Sequence, residues 1–329
     1  MSEIVRVEHL KKHFPVQKGF LSQLFARKRS YVRAVDGITF SVRKGEIFTL
    51  AGESGCGKTT TGKMIVKLIA PTSGSIRFNE TDVTGLKGEQ LRLLRRKMQM
   101  IFQDPYASLS PRMRIGKAVG HPLRIHGIAK GDQEKRMVKE VLEKVGLSPA
   151  EQFISLFPHQ LSGGQRQRVA LARSIILNPE FMVADEPVSM IDVSLRITII
   201  DLMLGFRREL GLTYLFVTHD LAVAKYVSDR IAIMYLGKIL EIGSKDTLFL
   251  KPLHPYTRAL LSAIPVPDPQ RKREMIELKG EVPSAINVPI GCRFNPRCPN
   301  RTDECTSREP ELTEVEKDHF VACLDYQKL

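Results

Sequence analysis

The sequence has no tryptophan, few aromatic residues and only five cysteines among 329 residues. No apolar run reaches the ~18 residues that a membrane-spanning helix needs, and the nearest, Ile197 to Phe206, is interrupted by Asp201. The first residues also lack the basic-then-apolar pattern of a secretory signal. We therefore expect a cytosolic protein rather than a secreted or membrane-spanning one.

The sequence has fewer acidic than basic residues, with 36 Asp and Glu against 50 Lys and Arg, which gives a net charge of +14. This excess suits nucleic acid, an anionic membrane surface or a phosphorylated ligand, and it fits a solvated basic surface equally well. Hydrophobic residues make up 43% of the chain. That is enough for a packed core, and the length allows one large domain and a smaller one.

Short apolar segments alternate with amphipathic ones, which predicts a parallel α/β core. The predicted strands include Ile47 to Ala51, Phe181 to Ala184 and Thr213 to Val217, and the predicted helices Lys58 to Ile69, Gln165 to Leu177 and Val193 to Leu210. A basic, turn-rich insert runs over 15–30. Proline becomes frequent near residue 252, which divides a main domain of 1–250 from an accessory domain of 251–329.

Residues 52–59 fit the phosphate-loop pattern GxxxxGK[ST] between a strand and a helix. The glycines let backbone N–H groups turn toward an anion, and the helix adds its positive end. Lys58 can reach the β- and γ-phosphates and the Thr59 hydroxyl can bind Mg²⁺; the alternative is a chance glycine turn. The residues assigned to the nucleotide are Gly52, Glu53, Ser54, Gly55, Cys56, Gly57, Lys58, Thr59 and Thr60.

Two further motifs also point to a nucleotide. Asp185 and Glu186 directly follow an apolar strand, where Asp185 can hold Mg²⁺ and Glu186 can polarise the attacking water. Alone, such a pair is usually a solvated turn. Residues 161–165, Leu-Ser-Gly-Gly-Gln, open a helix and supply either a second anion-binding end or an ordinary serine N-cap.

Together these motifs resemble the ATPase subunits of ABC transporters over about residues 4–250, and the LSGGQ stretch is nearly diagnostic. The resemblance implies an α/β P-loop NTPase core: a RecA-like parallel sheet, an antiparallel β subdomain, a helical subdomain at about 104–175 and a small C-terminal cysteine-containing domain. It also implies that two such domains dimerise head to tail. The residues that would then contact the partner's ATP are Ser162, Gly163, Gly164 and Gln165.

The resemblance assigns roles to other positions. Gln103 matches the glutamine that contacts Mg²⁺ or water and links to the membrane subunits, and His219 matches the histidine that touches the γ-phosphate, although a lone histidine after a strand is more often a cap. Asp192 ends a Ser-Met-Ile-Asp segment that departs from the usual Ser-Ala-Leu-Asp. For the aromatic ring that stacks on adenine, Phe14 fits by its place after the first strand, with Tyr31 as the alternative.

The segments 254–265 and 291–299 resemble the C-terminal extension of the oligopeptide/dipeptide importer ATPases. This implies import of peptides, with oligosaccharides, nickel and glutathione as other solutes of the branch. It also implies a second, non-identical ATPase, two transmembrane permeases, an extracellular solute-binding protein and a peripheral place on the cytoplasmic face of the membrane, with no nucleic acid. The alternatives are a soluble ABC ATPase acting on nucleic acid or ribosomes, suggested by the charge, and a nucleotide-binding regulator without turnover.

Four cysteines are spaced C-x5-C-x6-C-x17-C at Cys292, Cys298, Cys305 and Cys323. Disulfides are not expected in a cytosolic protein, so this grouping suggests a metal. The spacing matches neither common zinc ribbons nor bacterial ferredoxins. The resemblance favours a [4Fe–4S] cluster, with Zn²⁺ as the runner-up and four unliganded thiols as the remaining alternative.

Overall fold

The computed structural model describes residues 2–16, 30–264, 275–278 and 280–328. Most of the predicted basic insert, and Pro265, Pro267 and Pro269 of the proline-rich stretch, lie outside the described residues. The strands are β1 (Glu3–Pro15), β2 (Tyr31–Arg43), β3 (Ile47–Ala51), β4 (Ser73–Phe78), β5 (Thr81–Asp82), β6 (Met98–Ile101), β7 (Phe181–Asp185), β8 (Thr213–Thr218), β9 (Arg230–Tyr235), β10 (Lys238–Ser244), β11 (Thr313–Glu316) and β12 (His319–Val321). The α-helices are α1 (Lys58–Ile65), α2 (Gly88–Lys97), α3 (Pro105–Ser108), α4 (Ile115–Ile125), α5 (Gly131–Lys144), α6 (Glu151–Ile154), α7 (Gly163–Ile175), α8 (Val193–Leu210), α9 (Leu221–Val227), α10 (Lys245–Leu250), α11 (Pro255–Ser262) and α12 (Glu304–Ser307).

The described residues divide into two compact units. The first unit comprises those of 1–4, 43–46 and 85–217, and the second unit those of 5–42, 47–84 and 218–329.

The first unit contains a parallel sheet in which β7 lies between β6 and β8. Every residue of β7 and β8 is buried, as is usual for parallel strands covered on both faces. The helices α4 and α5 pack on each other and on α7, and Arg124 on α4 pairs with Glu134 on α5 at 2.6 Å. The predicted parallel strands and helical insertion are confirmed.

The second unit contains a four-stranded sheet in the order β2-β1-β4-β5, in which β4 is antiparallel to β1 and to β5. It also contains a run of strands in the order β11-β12-β10-β9-β3, where β9 is parallel to β3 and antiparallel to β10. The predicted antiparallel β subdomain is therefore present. Toward the C-terminus, β12 pairs antiparallel with β10 and with β11.

A buried carboxylate joins the C-terminal segments of the second unit. Glu241 on β10 accepts hydrogen bonds from the backbone N–H groups of Leu253, at 2.8 Å, and His254, at 3.0 Å. It also lies 2.8 Å from Nε2 of His319 on β12. Since a buried carboxylate is costly unless its oxygens are hydrogen-bonded, this residue ties β10, β12 and the start of α11 together.

In the described part of the chain, no helix has both the length and the apolar character required to span a bilayer.

Candidate active site

The phosphate loop follows β3 in the second unit, and its glycines have backbone angles that other residues rarely adopt. Gly52 has a φ of 146°, and a Cβ there would lie 2.2 Å from the Met234 carbonyl oxygen. Gly57 has a φ of 109°, and its Cβ would lie 2.2 Å from the Ala34 carbonyl oxygen. Because an added methyl would collide with backbone at both ends, the loop keeps its shape only with glycine there.

Lys58 begins α1 and turns back over the loop. Its ammonium donates to the carbonyl oxygens of Gly52, at 2.7 Å, and Glu53, at 3.0 Å, and its side chain is buried. Gly57 supplies no side-chain cap to α1. Backbone N–H groups in the first turn of a helix attract an anion, so this end suits a phosphate.

Two other loop residues differ in their surroundings. Thr59 and Thr60 are partly exposed on the first turn of α1. Burial raises the pKa of the Cys56 thiol, although the Lys58 ammonium nearby acts in the opposite direction. The neutral Cys56 side chain therefore behaves as core, as expected for a position where the backbone matters more than the thiol.

Two residues of the C-terminal segment contact Glu53 in the loop, and sequence reasoning did not assign them. The backbone N–H of Glu53 donates to the Tyr256 hydroxyl at 3.1 Å. Nη1 of Arg297 donates to both carboxylate oxygens of Glu53, at 3.0 and 3.1 Å. Both residues lie within the segments that carry the resemblance to importer ATPases, but nothing in their spacing points toward residue 53.

His219 belongs to the second unit and is exposed. The N-cap of α9 is the next residue, Asp220, whose carboxylate accepts from the N–H groups of Ala222, at 2.8 Å, and Val223, at 3.2 Å. The capping interpretation therefore applies to Asp220 and not to His219. The role of His219 toward a phosphate remains a prediction.

Phe14 and Tyr31, the two candidates for adenine stacking, lie on neighbouring strands, β1 and β2. Their exposed fractions are similar, 38% and 40%. The Lys12 ammonium lies 5.0 Å from the centre of the Phe14 ring. Both rings thus have an accessible face, and the choice between them stays open.

The acidic pair follows β7 in the first unit. Asp185 ends the strand and is 2% exposed, whereas Glu186 has a φ of 45°, in the left-handed region. The N–H of Glu186 donates to the Val217 carbonyl at 2.9 Å, and its side chain accepts from Nε2 of Gln103 at 2.8 Å. The structure therefore brings two of the predicted residues, Gln103 and Glu186, into direct contact across 83 positions of sequence.

The signature segment opens α7 in the first unit with a reciprocal capping box. Ser162 Oγ accepts from the Gln165 N–H at 3.3 Å, and Gln165 Oε1 accepts from the Ser162 N–H at 2.9 Å. A Cβ on Gly163 would lie 4.0 Å from the Met190 carbonyl oxygen, and one on Gly164 would lie 2.9 Å from Leu195. The signature thus adjoins the segment that ends at Asp192, the N-cap residue of α8.

The four C-terminal cysteines line one small cavity in the second unit, beside Phe294 and Leu324. None of the four forms a disulfide. Burial raises the pKa of Cys292 to about 12 and also raises those of Cys298 and Cys323. Within the described ranges, however, no three His, Cys, Asp or Glu side chains are arranged to hold a metal ion. The predicted grouping of four cysteines around one cavity is present, but the described residues contain no ready-made metal site.

Comparison with known families places two matches along the chain. Residues 35–189 match the family described as ABC transporter, and residues 240–305 match the family described as oligopeptide/dipeptide transporter, C-terminal region. The oligopeptide transport ATP-binding protein AppF of Bacillus subtilis is 46% identical over 323 residues, 97% of this chain and 96% of AppF. YkfD of the same organism is 48% identical over 98% of this chain and 96% of its own length.

Solved structures support the same assignment. A dimer of the ATP-binding cassette MJ0796, in a post-hydrolysis state bound to ADP and Pi, superposes with a TM-score of 0.64. It is 28% identical, and the match covers 74% of this chain and 99% of that one. The chain therefore belongs to the ABC transporter ATPases, in the branch of oligopeptide transport ATP-binding proteins.

Proposed function

We propose that this chain powers the import of oligopeptides or dipeptides through a membrane transporter. The observation that carries the proposal is the match of residues 240–305 to the C-terminal region of oligopeptide/dipeptide transporters. The nearly full-length similarity to AppF supports it. Residues 1–250 form the nucleotide-binding cassette in this proposal, and 251–329 an accessory domain.

The reaction is in-line attack of water on the γ-phosphate, which yields ADP and phosphate. Lys58 offsets charge on the β- and γ-phosphates, and Glu186 accepts the proton of the attacking water. Gln103 contacts the same carboxylate at 2.8 Å, so it is well placed to orient that group. His219 stabilises the charge on the γ-phosphate.

The residues predicted to hold Mg²⁺ are Thr59, Gln103 and Asp185, and each offers the oxygen atoms that this ion prefers. Asp185 is 2% exposed, which suits a carboxylate that is neutralised by a cation. Bound Mg²⁺ supplies charge neutralisation on the phosphate oxygens.

The proposed assembly contains a second, non-identical ATPase, two permeases and an extracellular solute-binding protein, with this chain peripheral on the cytoplasmic face. The two ATPases bind head to tail, so Ser162, Gly163, Gly164 and Gln165 contact the ATP held by the partner. The exposed Ser162 at the first turn of α7 supports such a contact.

The test is affinity capture of the tagged chain from gently solubilised native membranes, followed by mass spectrometry, with an untagged strain as control. We expect two permeases, a second ATPase and a solute-binding protein. The captured binding protein is then screened against peptides, oligosaccharides, nickel and glutathione. Ribosomal or DNA-associated partners without permeases would instead support the soluble ATPase suggested by the charge of +14.

We also propose that the four-cysteine cavity holds a [4Fe–4S] cluster, with Zn²⁺ as the alternative. Four thiols around one cavity support a group that all four ligate. Four cysteine thiolates are the ligand set that a [4Fe–4S] cluster uses. In this proposal the cluster has a structural role, in which it holds the C-terminal segment together, and no catalytic role, because no redox substrate site is predicted.

Anaerobic purification followed by iron, acid-labile sulfide and zinc analysis distinguishes these alternatives. We expect about four irons and four sulfides per chain if the cluster is present. Stoichiometric zinc without sulfide would support the alternative, and the absence of both metals would indicate four unliganded, partly buried thiols. Replacement of Cys298 should leave hydrolysis intact in an assembled, folded transporter; abolished hydrolysis would contradict a purely structural role.

A further inference from the structure

In the second unit, Tyr256 and Arg297 of the C-terminal segment hold the phosphate loop at Glu53. The N–H of Glu53 donates to Tyr256 Oη, its carbonyl oxygen accepts from Lys58, and its carboxylate accepts twice from Arg297. Its two backbone groups and its side chain are therefore all held. Two of the three partners come from positions 203 and 244 residues further along the chain.

The Arg297 side chain is firmly placed. It is 9% exposed, and its guanidinium carbon lies 5.8 Å from the centre of the Tyr235 ring. Tyr235 in turn packs against Tyr256, with ring centres 4.8 Å apart, and against Phe294 at 5.4 Å. Because all three rings are fully buried, the two groups that hold Glu53 belong to one packed cluster.

These contacts hold one end of the phosphate loop and leave its middle accessible. The N–H of Glu53 donates to Tyr256, and its carbonyl oxygen accepts from the Lys58 ammonium. The Cys56 N–H also donates to this carbonyl, at 3.4 Å, so Glu53 anchors the start of the loop. Gly52 is wedged against the Met234 carbonyl on the other side. By contrast, Ser54 and Gly55 are exposed, and a Cβ on Gly55 would meet no atom within 4 Å. The loop is thus fixed at its start and open in its middle.

We propose that Arg297 and Tyr256 are positioning residues for ATP binding: they hold the phosphate loop in its phosphate-binding shape through Glu53. Loss of Arg297 removes the cation that pairs with the Glu53 carboxylate, which is 26% exposed. The carboxylate then turns toward water, and the loop backbone loses a restraint that is present before ATP arrives. A loop that already has its phosphate-binding shape needs less free energy to become ordered when ATP binds. We therefore expect loss of Arg297 to lower the affinity for ATP and not the rate of the chemical step.

The test measures ATP affinity by calorimetric titration of the full-length chain with Mg²⁺-ATP. The variants are Arg297→Gln, Glu53→Gln and the double variant, with Arg297→Lys as the conservative replacement. We expect Arg297→Gln to weaken ATP binding about tenfold, the size of a lost charge-assisted contact. Arg297→Lys should retain most of the affinity, and the double variant should bind no worse than the weaker single variant.

Arg308→Gln is the matched control, because Arg308 pairs with Glu304 at 2.7 Å in the same segment but on the exposed surface. It should bind ATP normally. In the assembled transporter, Arg297→Gln should raise the KM for ATP and leave kcat nearly unchanged. If Arg297 only stabilised the fold, Arg297→Gln would instead lower the melting temperature without raising the KM for ATP selectively.

Tyr256→Phe provides an independent test if Arg297→Gln does not fold, since it removes only one hydroxyl oxygen; we expect affinity to fall about threefold. The proposal is overturned if folded Arg297→Gln or Tyr256→Phe binds ATP as the unmodified chain does. It is also overturned if the fold-loss of ATP affinity in the double variant equals the product of the fold-losses in Arg297→Gln and Glu53→Gln. Because ATP binding is measured on the chain alone, these outcomes do not depend on what the transporter imports.

Discussion

At the scale of single residues, the most informative contact is the one between Gln103 and Glu186. Glu186 lies in the left-handed region, with a backbone hydrogen bond to Val217 and a side-chain hydrogen bond from Gln103. Such a conformation costs about 1 kcal/mol or more for a residue with a side chain, so the neighbouring contacts must hold it. The carboxylate is thereby presented in a defined direction, as a general base needs to be.

We predict that Glu186→Gln binds ATP but hydrolyses it at least about a hundredfold more slowly, because an amide cannot accept the proton of the attacking water. Phosphate release and ATP titration measure the two properties separately. Glu180→Gln is the control, since Glu180 pairs with Lys97 at 3.0 Å at the start of the same strand. Hydrolysis near the unmodified rate in Glu186→Gln would remove Glu186 from the proposed role.

The pairing of Gln103 with Glu186 shows how far residue-level reasoning reaches. Glu186 could be proposed from its place directly after a buried apolar strand, because such a residue lies at the sheet edge. The role of Gln103 came from the resemblance to the ABC transporter ATPases. Their hydrogen bond could not be assigned, because it depends on the side-by-side register of β6 and β7. The same holds for Asp220, whose N-cap role became visible only with the start of α9.

At the scale of elements, the start of α11 carries a pH-sensitive group. His254 is the N-cap residue, and its Nδ1 accepts from the Tyr256 N–H at 3.0 Å. Burial lowers the pKa of His254 to about 4 from an ordinary value of 6.5, although Glu241 nearby acts to raise it. The folded protein therefore keeps this histidine neutral at pH values where the unfolded chain binds a proton.

The sign of the effect follows directly: between pH 6.5 and about 4 the unfolded chain binds more protons, so the free energy of unfolding falls as pH falls. We predict that His254 contributes a loss of about 2 kcal/mol between neutral pH and pH 5. Urea unfolding at the two pH values, compared with His254→Asn, measures this contribution. Asparagine keeps an N-cap acceptor but does not titrate.

His254→Asn should therefore lose less stability on acidification than the unmodified chain does. Equal losses in the two proteins would show that His254 is protonated in the folded state or contributes nothing. His121→Asn, on α4 of the first unit, is a suitable control for histidine replacement in general.

Element boundaries were predicted less well than element types. The helix predicted from Lys58 to Ile69 ends at Ile65, where the chain turns and Lys67 takes a φ of 56°. Phe14, expected after the first strand, lies within it, because β1 continues to Pro15 past an irregularity between Glu8 and Lys11. Hydrophobic periodicity indicates which face of a helix or strand is apolar. The residue at which the element ends depends instead on the residues that pack beyond it.

At the scale of the whole molecule, the expected working form is a pair of ATPases. The segment before Asp192 adjoins the signature glycines, and its Met190 is 63% exposed. A bulky exposed side chain beside the signature changes the surface offered to a partner.

We predict that Glu186→Gln, mixed with the second ATPase and Mg²⁺-ATP, forms a 1:1 complex, since the ATP held by this chain joins the two chains and is hydrolysed only slowly. Size-exclusion chromatography with light scattering measures the mass with ATP and with ADP. The same chain alone should stay largely monomeric at equal concentration. An ATP-dependent homodimer as stable as the mixed one would contradict the non-identical pair.

Motifs that are contiguous in the chain could be predicted from the amino-acid sequence. The glycine pattern between a strand and a helix predicts the phosphate loop, whereas the acidic pair after β7 and the signature gained their meaning from their combination with that loop and from the family resemblance. The contacts that join distant segments, Glu53 to Tyr256 and Arg297 and Gln103 to Glu186, are visible only in the folded structure. No periodicity or spacing encodes these contacts, because they arise from the packing of whole elements.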